Sequence, residues 1–120
     1  GLPDDWELQH FGTTNDPAGA PDGDFDNDGF PNRSEWCAGT DPASAGSRLE
    51  VQGFAGLPAD SGSVVMQWPS VSNKTYAILS TTNLTTGWTT LAGGIPAHPP
   101  LNTHTVSVHH FNLFLRVKVE

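Results

Sequence analysis

Four aspartates recur at every second position in the stretch Asp22-Gly23-Asp24-Phe25-Asp26-Asn27-Asp28-Gly29-Phe30-Pro31-Asn32-Arg33-Ser34-Glu35, and no base interrupts them before Arg33. Two unit charges about 5 Å apart repel by about 3 kcal/mol at an effective dielectric of about 20. Several such pairs make an ordered loop costly unless a cation neutralises them. Carboxylates and carbonyls are hard oxygen donors, and the hard cation that accepts many of them in an adaptable shell is calcium.

The spacing narrows the chemistry further. Calcium loops of the EF-hand type follow D-x-[DN]-x-[DN]-G-x5-E. Counting from Asp24 places Asp26 and Asp28 at the third and fifth positions, Gly29 at the sharp turn, and Glu35 at the closing position. Phe30 then offers its backbone carbonyl, Asn32 stands where a ligand often acts through water, and Glu35 supplies a bidentate carboxylate. Counting from Asp22 puts Asn27 at the glycine position and Arg33 at the closing one, so that frame fails. The expected ligands are Asp24, Asp26, Asp28, the Phe30 carbonyl, Asn32 and Glu35. Asp16, Asp22 and Asp41 lie outside this frame and are candidates for a second cation, with turn and capping chemistry as the alternative for Asp16 and Asp41.

Two short helices must position the loop. Residues 1–12 read as a leading helix, with Pro3 in the first turn, Asp4, Asp5 and Glu7 at its positive end, and Gly12 as its C-cap. Trp6 with His10, and Leu8 with Phe11, mark its apolar face. The second helix is expected to start with Asn32 as N-cap and Glu35 three residues on, and to end at Gly39. Helices this short are not stable alone, so the loop and a Trp6–Trp36 contact are expected to hold them. Cys37 reads as a small buried apolar residue. Pro31 lacks the N–H through which paired loops join, and the motif occurs once, so the loop is expected to act singly.

Charge divides the 120-residue chain. Residues 1–50 hold eleven acids and two bases, and residues 51–120 hold two acids and three bases. Two units are expected, 1–47 and 48–120. The net charge of −8 argues against nucleic acid as a partner. No apolar run approaches the roughly 20 residues of a membrane helix, and no signal peptide is visible. A lone cysteine forms no internal disulfide, so metal stapling in a calcium-rich extracellular space is the expectation.

From Arg48 onward apolar residues alternate. Strands are expected near 48–54, 63–68, 74–80, 87–91, 103–109 and 113–119, separated by turns rich in Gly, Pro, Asn and Ser. Val64, Met66 and Trp68 should share one face, as should Tyr76 with Ile78, Val106 with Val108, and Leu115 with Val117 and Val119. Arg116 and Lys118 point the other way. The fold class is therefore mainly β with a small α N-terminal part, a helix–calcium loop–helix followed by an antiparallel β-sandwich of the immunoglobulin or fibronectin type III kind.

The segment D-F-D-N-D-G-F-P-N-R-S-E-W with A-G-T-D-P after it resembles the calcium loops of type I dockerins and thrombospondin type 3 repeats. The order G-L-P-D-D-W-E-L, calcium loop, Q-W-P-S-V-S-N-K-T-Y, S-T-T-N-L-T-T-G-W and L-R-V-K-V-E resembles C-terminal modules of large secreted bacterial proteins, many of them polysaccharide-degrading. The resemblance implies an accessory role beside a parent enzyme or surface protein, outside the cell or on its surface.

Catalysis is not expected. His10, His98, His104, His109 and His110 lack metal-ligand spacing, His109 and His110 would face opposite ways in a strand, and no nucleophile or glycosidase signature stands out. Three readings remain: a calcium-stabilised accessory module, a carbohydrate-binding module stacking a sugar on Trp68, Tyr76 or Trp88, and a protein-docking or cell-surface anchoring module.

Overall fold

The computed structural model describes residues 1–56, 62–107 and 114–120. The chain divides into two compact units, Gly1–Arg48 and Leu49–Glu120. Among the described residues it is mainly β, with two short N-terminal helices and two antiparallel sheets.

In the first unit, helix α1 spans Asp4–Phe11 and is closed by Gly12 at φ 75°, whose N–H donates to the Leu8 carbonyl. A 3-10 turn follows at Pro17–Gly19, capped by the Asp16 carboxylate. Helix α2 spans Asn32–Ala38 and ends at Gly39, φ 75°. Its cap is Pro31, so Asn32 is the first helical residue and not the expected N-cap. The first two N–H groups of α2 instead donate to the connector, Asn32 to the Gly23 carbonyl and Arg33 to that of Pro21. Orphan donors at a helix start need such partners.

The buried residues of α2 are Asn32, Glu35 and Ala38, one face at three-residue spacing. That face is polar because it meets the loop. Trp36 is 42% exposed and Cys37 is exposed, so neither joins a core. Trp6 meets His10 within α1 at a tilt (4.7 Å between ring centroids, 48° between planes) and meets Phe11 edge-on; the Phe11 ring centroid in turn lies 4.7 Å from that of Phe25. The aromatic chain therefore runs from α1 into the loop, in place of the expected Trp6–Trp36 contact. Leu8, expected on the apolar face, is 54% exposed.

In the second unit the strands are β1 Gly53–Gly56, β2 Ser63–Pro69, β3 Thr75–Thr81, β4 Thr89–Pro96, β5 Leu101–Ser107 and β6 Phe114–Val119. One sheet has the order β1-β2-β5 and the other β4-β3-β6. Both contribute to a single cluster of Met66, Trp68, Tyr76, Ile78, Ile95 and Val106, with Val64, Leu115, Val117 and Val119 packed against it. The expected stripes thus face the core. Val108, His109, His110 and Leu113 lie outside the described residues.

Two strand limits differ from expectation. Regular pairing begins at Gly53, not near Arg48. Strand β4 continues through Gly93-Gly94-Ile95-Pro96, a stretch expected as turn, because the β3–β4 register shifts between Tyr76 and Ile78 and again between Ile78 and Leu79. Gly94 has φ 64°, and its N–H donates to the Glu120 carboxylate instead of the ladder. A bulge with glycine absorbs the extra residue. The true connection, residues 97–100, is fastened by buried Asn102, which accepts from the His98 N–H and donates to the Pro96 carbonyl.

Candidate metal centre

The loop is folded by its own carboxylates. Asp24 accepts from the N–H groups of Asp28 (3.0 Å) and Gly29 (2.8 Å), Asp26 from Asp28 (3.2 Å), and Asp28 from Phe30 (2.8 Å). Gly29 sits at φ 94° and Asn27 at φ 60°. The first is open to glycine alone at little cost, and asparagine tolerates the second. These bonds bend the chain so that one oxygen from each of Asp24, Asp26 and Asp28 lies within 4.8 Å of the others. The three side chains are half-buried.

Glu35, on α2, feels the charges of Asp26 and Asp28 but does not belong to the group of three aspartate carboxylates, so the structure does not bring the expected closing ligand into that group. Glu35 is 1% exposed. Its Oε1 accepts from the Thr40 hydroxyl at 3.2 Å, while its Oε2 has no hydrogen-bond partner. Asp26 Oδ2 and Asp28 Oδ2 are likewise buried and unpartnered. A buried acceptor left unsatisfied costs about 1–3 kcal/mol, and more when charged. Burial first, then the charges of Asp26 and Asp28, push the Glu35 carboxyl up to about 7. Burial and the neighbouring Asp28 also raise Asp26. Three side chains thus hold buried oxygens with nothing to receive. A cation held by Asp24, Asp26 and Asp28 would receive the free Asp26 and Asp28 oxygens and cancel the repulsion among the three, so these residues fit a hard metal ion.

Asn32 does something else. It is fully buried; its Oδ1 accepts from the Phe25 N–H, and its Nδ2 donates to the carbonyls of Ala18 and Ala20. The side chain expected to act through water on a cation is committed instead to tying the loop to the connector before it. Gly23 shows how close that approach is: a Cβ there would lie 2.6 Å from the Ala18 carbonyl oxygen.

The three acids considered for a second cation have separate partners. Asp16 caps the 3-10 turn, exposed Asp22 stands 3.6 Å from Arg33, and Asp41 accepts from the Ala43 N–H and lies 3.2 Å from His10 Nδ1. Among the described residues they do not form a metal-ligating group. Trp68 and Tyr76 are fully buried and meet edge to face, and the Tyr76 hydroxyl accepts from the Val71 N–H. Neither can stack a sugar. Trp88 is half-buried, with the Arg116 guanidinium 4.7 Å from its ring centroid.

Sequence reasoning missed Thr40, which orients Glu35, and the bracing role of Asn32. The T-D-P that follows Gly39 offered no pattern for the first, and the second needed a segment twelve or more residues upstream. The chain matches no family model, no curated protein and no solved structure.

Proposed function

We propose that the chain is a non-catalytic, calcium-binding accessory module of a secreted or cell-surface protein, in which calcium stabilises the fold of residues 1–47. Asp24, Asp26, Asp28, the Phe30 carbonyl and Glu35 hold the ion. Asn32 braces the loop from behind. The observation that carries this reading is Glu35: a buried carboxyl with one oxygen unpartnered, raised first by its burial and then by the charges of Asp26 and Asp28. An all-oxygen set rich in carboxylates favours calcium over the softer transition metals, and over magnesium, which keeps its waters. In this reading the two sheets of residues 48–120 form an immunoglobulin- or fibronectin-like sandwich, supported by the core to which both contribute. That unit joins the module to a parent enzyme or surface protein.

Isothermal titration tests the site. Calcium should bind with a Kd on the order of 10⁻⁴–10⁻³ M, as extracellular modules do. Glu35→Gln should weaken binding at least ten-fold while keeping side-chain volume. Equal binding by Glu35→Gln, or no calcium heat in the unaltered chain, would overturn the assignment.

A further inference from the structure

The chain holds three N-x-[ST] triplets, Asn32-Arg33-Ser34, Asn73-Lys74-Thr75 and Asn83-Leu84-Thr85. In an exported protein this triplet accepts an oligosaccharide on the asparagine amide, provided the asparagine stands on an open surface. The structure sorts the three. Asn32 is fully buried, and its Nδ2 is spent on the carbonyls of Ala18 and Ala20. Asn73 is exposed, at φ 66°. Its triplet is nonetheless sewn into the sheet by the backbone. The Lys74 carbonyl accepts from the Ala97 N–H, and Thr75 opens β3, paired with Pro96 and accepting from the Glu120 N–H. A transferase closing around that tripeptide would have to break these bonds.

Asn83 differs. Asn83, Leu84 and Thr85 are all exposed, in the connection between β3 and β4. The hydrogen bonds of Asn83 stay within residues 81–86. Its N–H donates to the Thr81 hydroxyl, and its carbonyl accepts from the Thr81 and Thr86 hydroxyls and from the Thr86 N–H. An enzyme can therefore take hold of this tripeptide without unpairing a strand. The side chain is also arranged for the chemistry. Its Oδ1 accepts from the Thr85 N–H at 3.0 Å and from the Thr85 hydroxyl at 2.7 Å, an Asx turn closed by the residue that the triplet requires. Its Nδ2 has no hydrogen-bond partner among the described residues. Two donors on Oδ1 draw electron density toward the oxygen, which eases loss of a proton from Nδ2 when that nitrogen attacks. Leu84 is 61% exposed, more than any other large apolar residue among those described, and an oligosaccharide on its neighbour would cover it.

We propose that Asn83 is a modification site, the acceptor of an N-linked oligosaccharide. The donor class is an oligosaccharide linked to a polyprenyl diphosphate. Asn83 Nδ2 attacks the anomeric carbon, the new N–C bond forms, and the bond from that carbon to the diphosphate oxygen breaks. The polyprenyl diphosphate leaves with the electron pair, and one Nδ2 proton passes to a base of the transferase. Nothing is oxidised or reduced. The proposal rests on the placement of the chain outside the cell and not on calcium, which concerns the other unit.

The test is transfer in vitro to the folded full chain, with a purified oligosaccharyltransferase and a polyprenyl-diphosphate-linked donor, read by intact mass and peptide mapping. One glycan per chain is expected, on Asn83. Asn83→Gln and Thr85→Val should abolish it, Thr85→Ser should retain it, and Asn73→Gln should leave it unchanged. Amide spectra of each variant establish that the fold is retained. A short acceptor peptide in the same reaction shows that the transferase is active, so a blank on the folded chain counts against Asn83. Transfer in vitro depends neither on where the chain resides nor on calcium, so its failure is distinct from failure of the module reading, which calcium titration decides. Three results would overturn the proposal: no glycan on the folded chain while the peptide is modified, a glycan on Asn32 or Asn73 at equal or higher occupancy, or undiminished transfer to Thr85→Val.

Discussion

The two units keep opposite things out of water. The second buries Met66, Trp68, Tyr76 and Ile78 completely, so its centre is apolar, with buried Asn102 bracing one connection. The most buried side chains of the first unit include Asn32 and Glu35, and Thr40 is buried beside them. Its aromatic rings, Trp6, Phe11 and Phe25, are only half-buried. A unit whose centre is a carboxylate with a free oxygen depends on what that oxygen meets. On the proposed reading, one unit of the chain is stable by burial and the other draws part of its stability from an ion.

The largest expected effect lies in the burial-stabilised unit. Trp68→Ala should cost about 3–5 kcal/mol, read as loss of amide protection over residues 49–120. Calcium titration of residues 1–48 should be unchanged. A variant that also loses calcium binding would show one cooperative fold and break the contrast.

Next comes pH, in the metal-free protein. The folded Glu35 carboxyl, raised mainly by burial, titrates at about 7, against 4.5 for the free side chain. The folded state therefore holds the proton more tightly. The stability this gives is fully present below pH 4.5 and is lost as pH rises through 7, on the order of 3 kcal/mol in all. In chelator, residues 1–48 should be more protected at pH 5 than at pH 8, with the second unit showing no such slope. Glu35→Gln should flatten the slope; an undiminished slope in that variant would assign it to other groups.

Calcium itself should add about 1.4–2.7 kcal/mol to the first unit at roughly ten to a hundred times Kd. Chelation should speed amide exchange and proteolysis between Asn15 and Asp41 while the sheets keep their protection. Uniform loss across both units would contradict the division, and unchanged protection in residues 1–48 would make the ion incidental to the fold.

The smallest effect sharpens the local geometry. A Cβ at Gly29 meets nothing within 4 Å, but the backbone there has φ 94°. Gly29→Ala should therefore cost about 1–2 kcal/mol through strain alone. It should weaken calcium binding without altering the second unit, as parallel melts and titrations would show.

Much of this was legible in the chain itself. The aspartate spacing and Gly29 specify a loop whose carboxylates fold back on its own N–H groups, because those contacts span five residues or fewer. Alternation from Val64 to Trp68 and from Leu115 to Val119 gave the inward faces of two strands, because side-chain direction in a strand has a period of two. What the sequence could not give is who covers whom. Trp36 and Cys37 look like core and are exposed; Trp68 and Tyr76 look like a platform and are core. Asn32 looks like a cap and a ligand, yet it is a brace, because the carbonyls of Ala18 and Ala20 come back to it. Burial and long-range hydrogen bonds are set by segments distant in the chain. Only the tertiary structure brings them to one place, and so it alone decided that Glu35 is buried with an oxygen unpartnered.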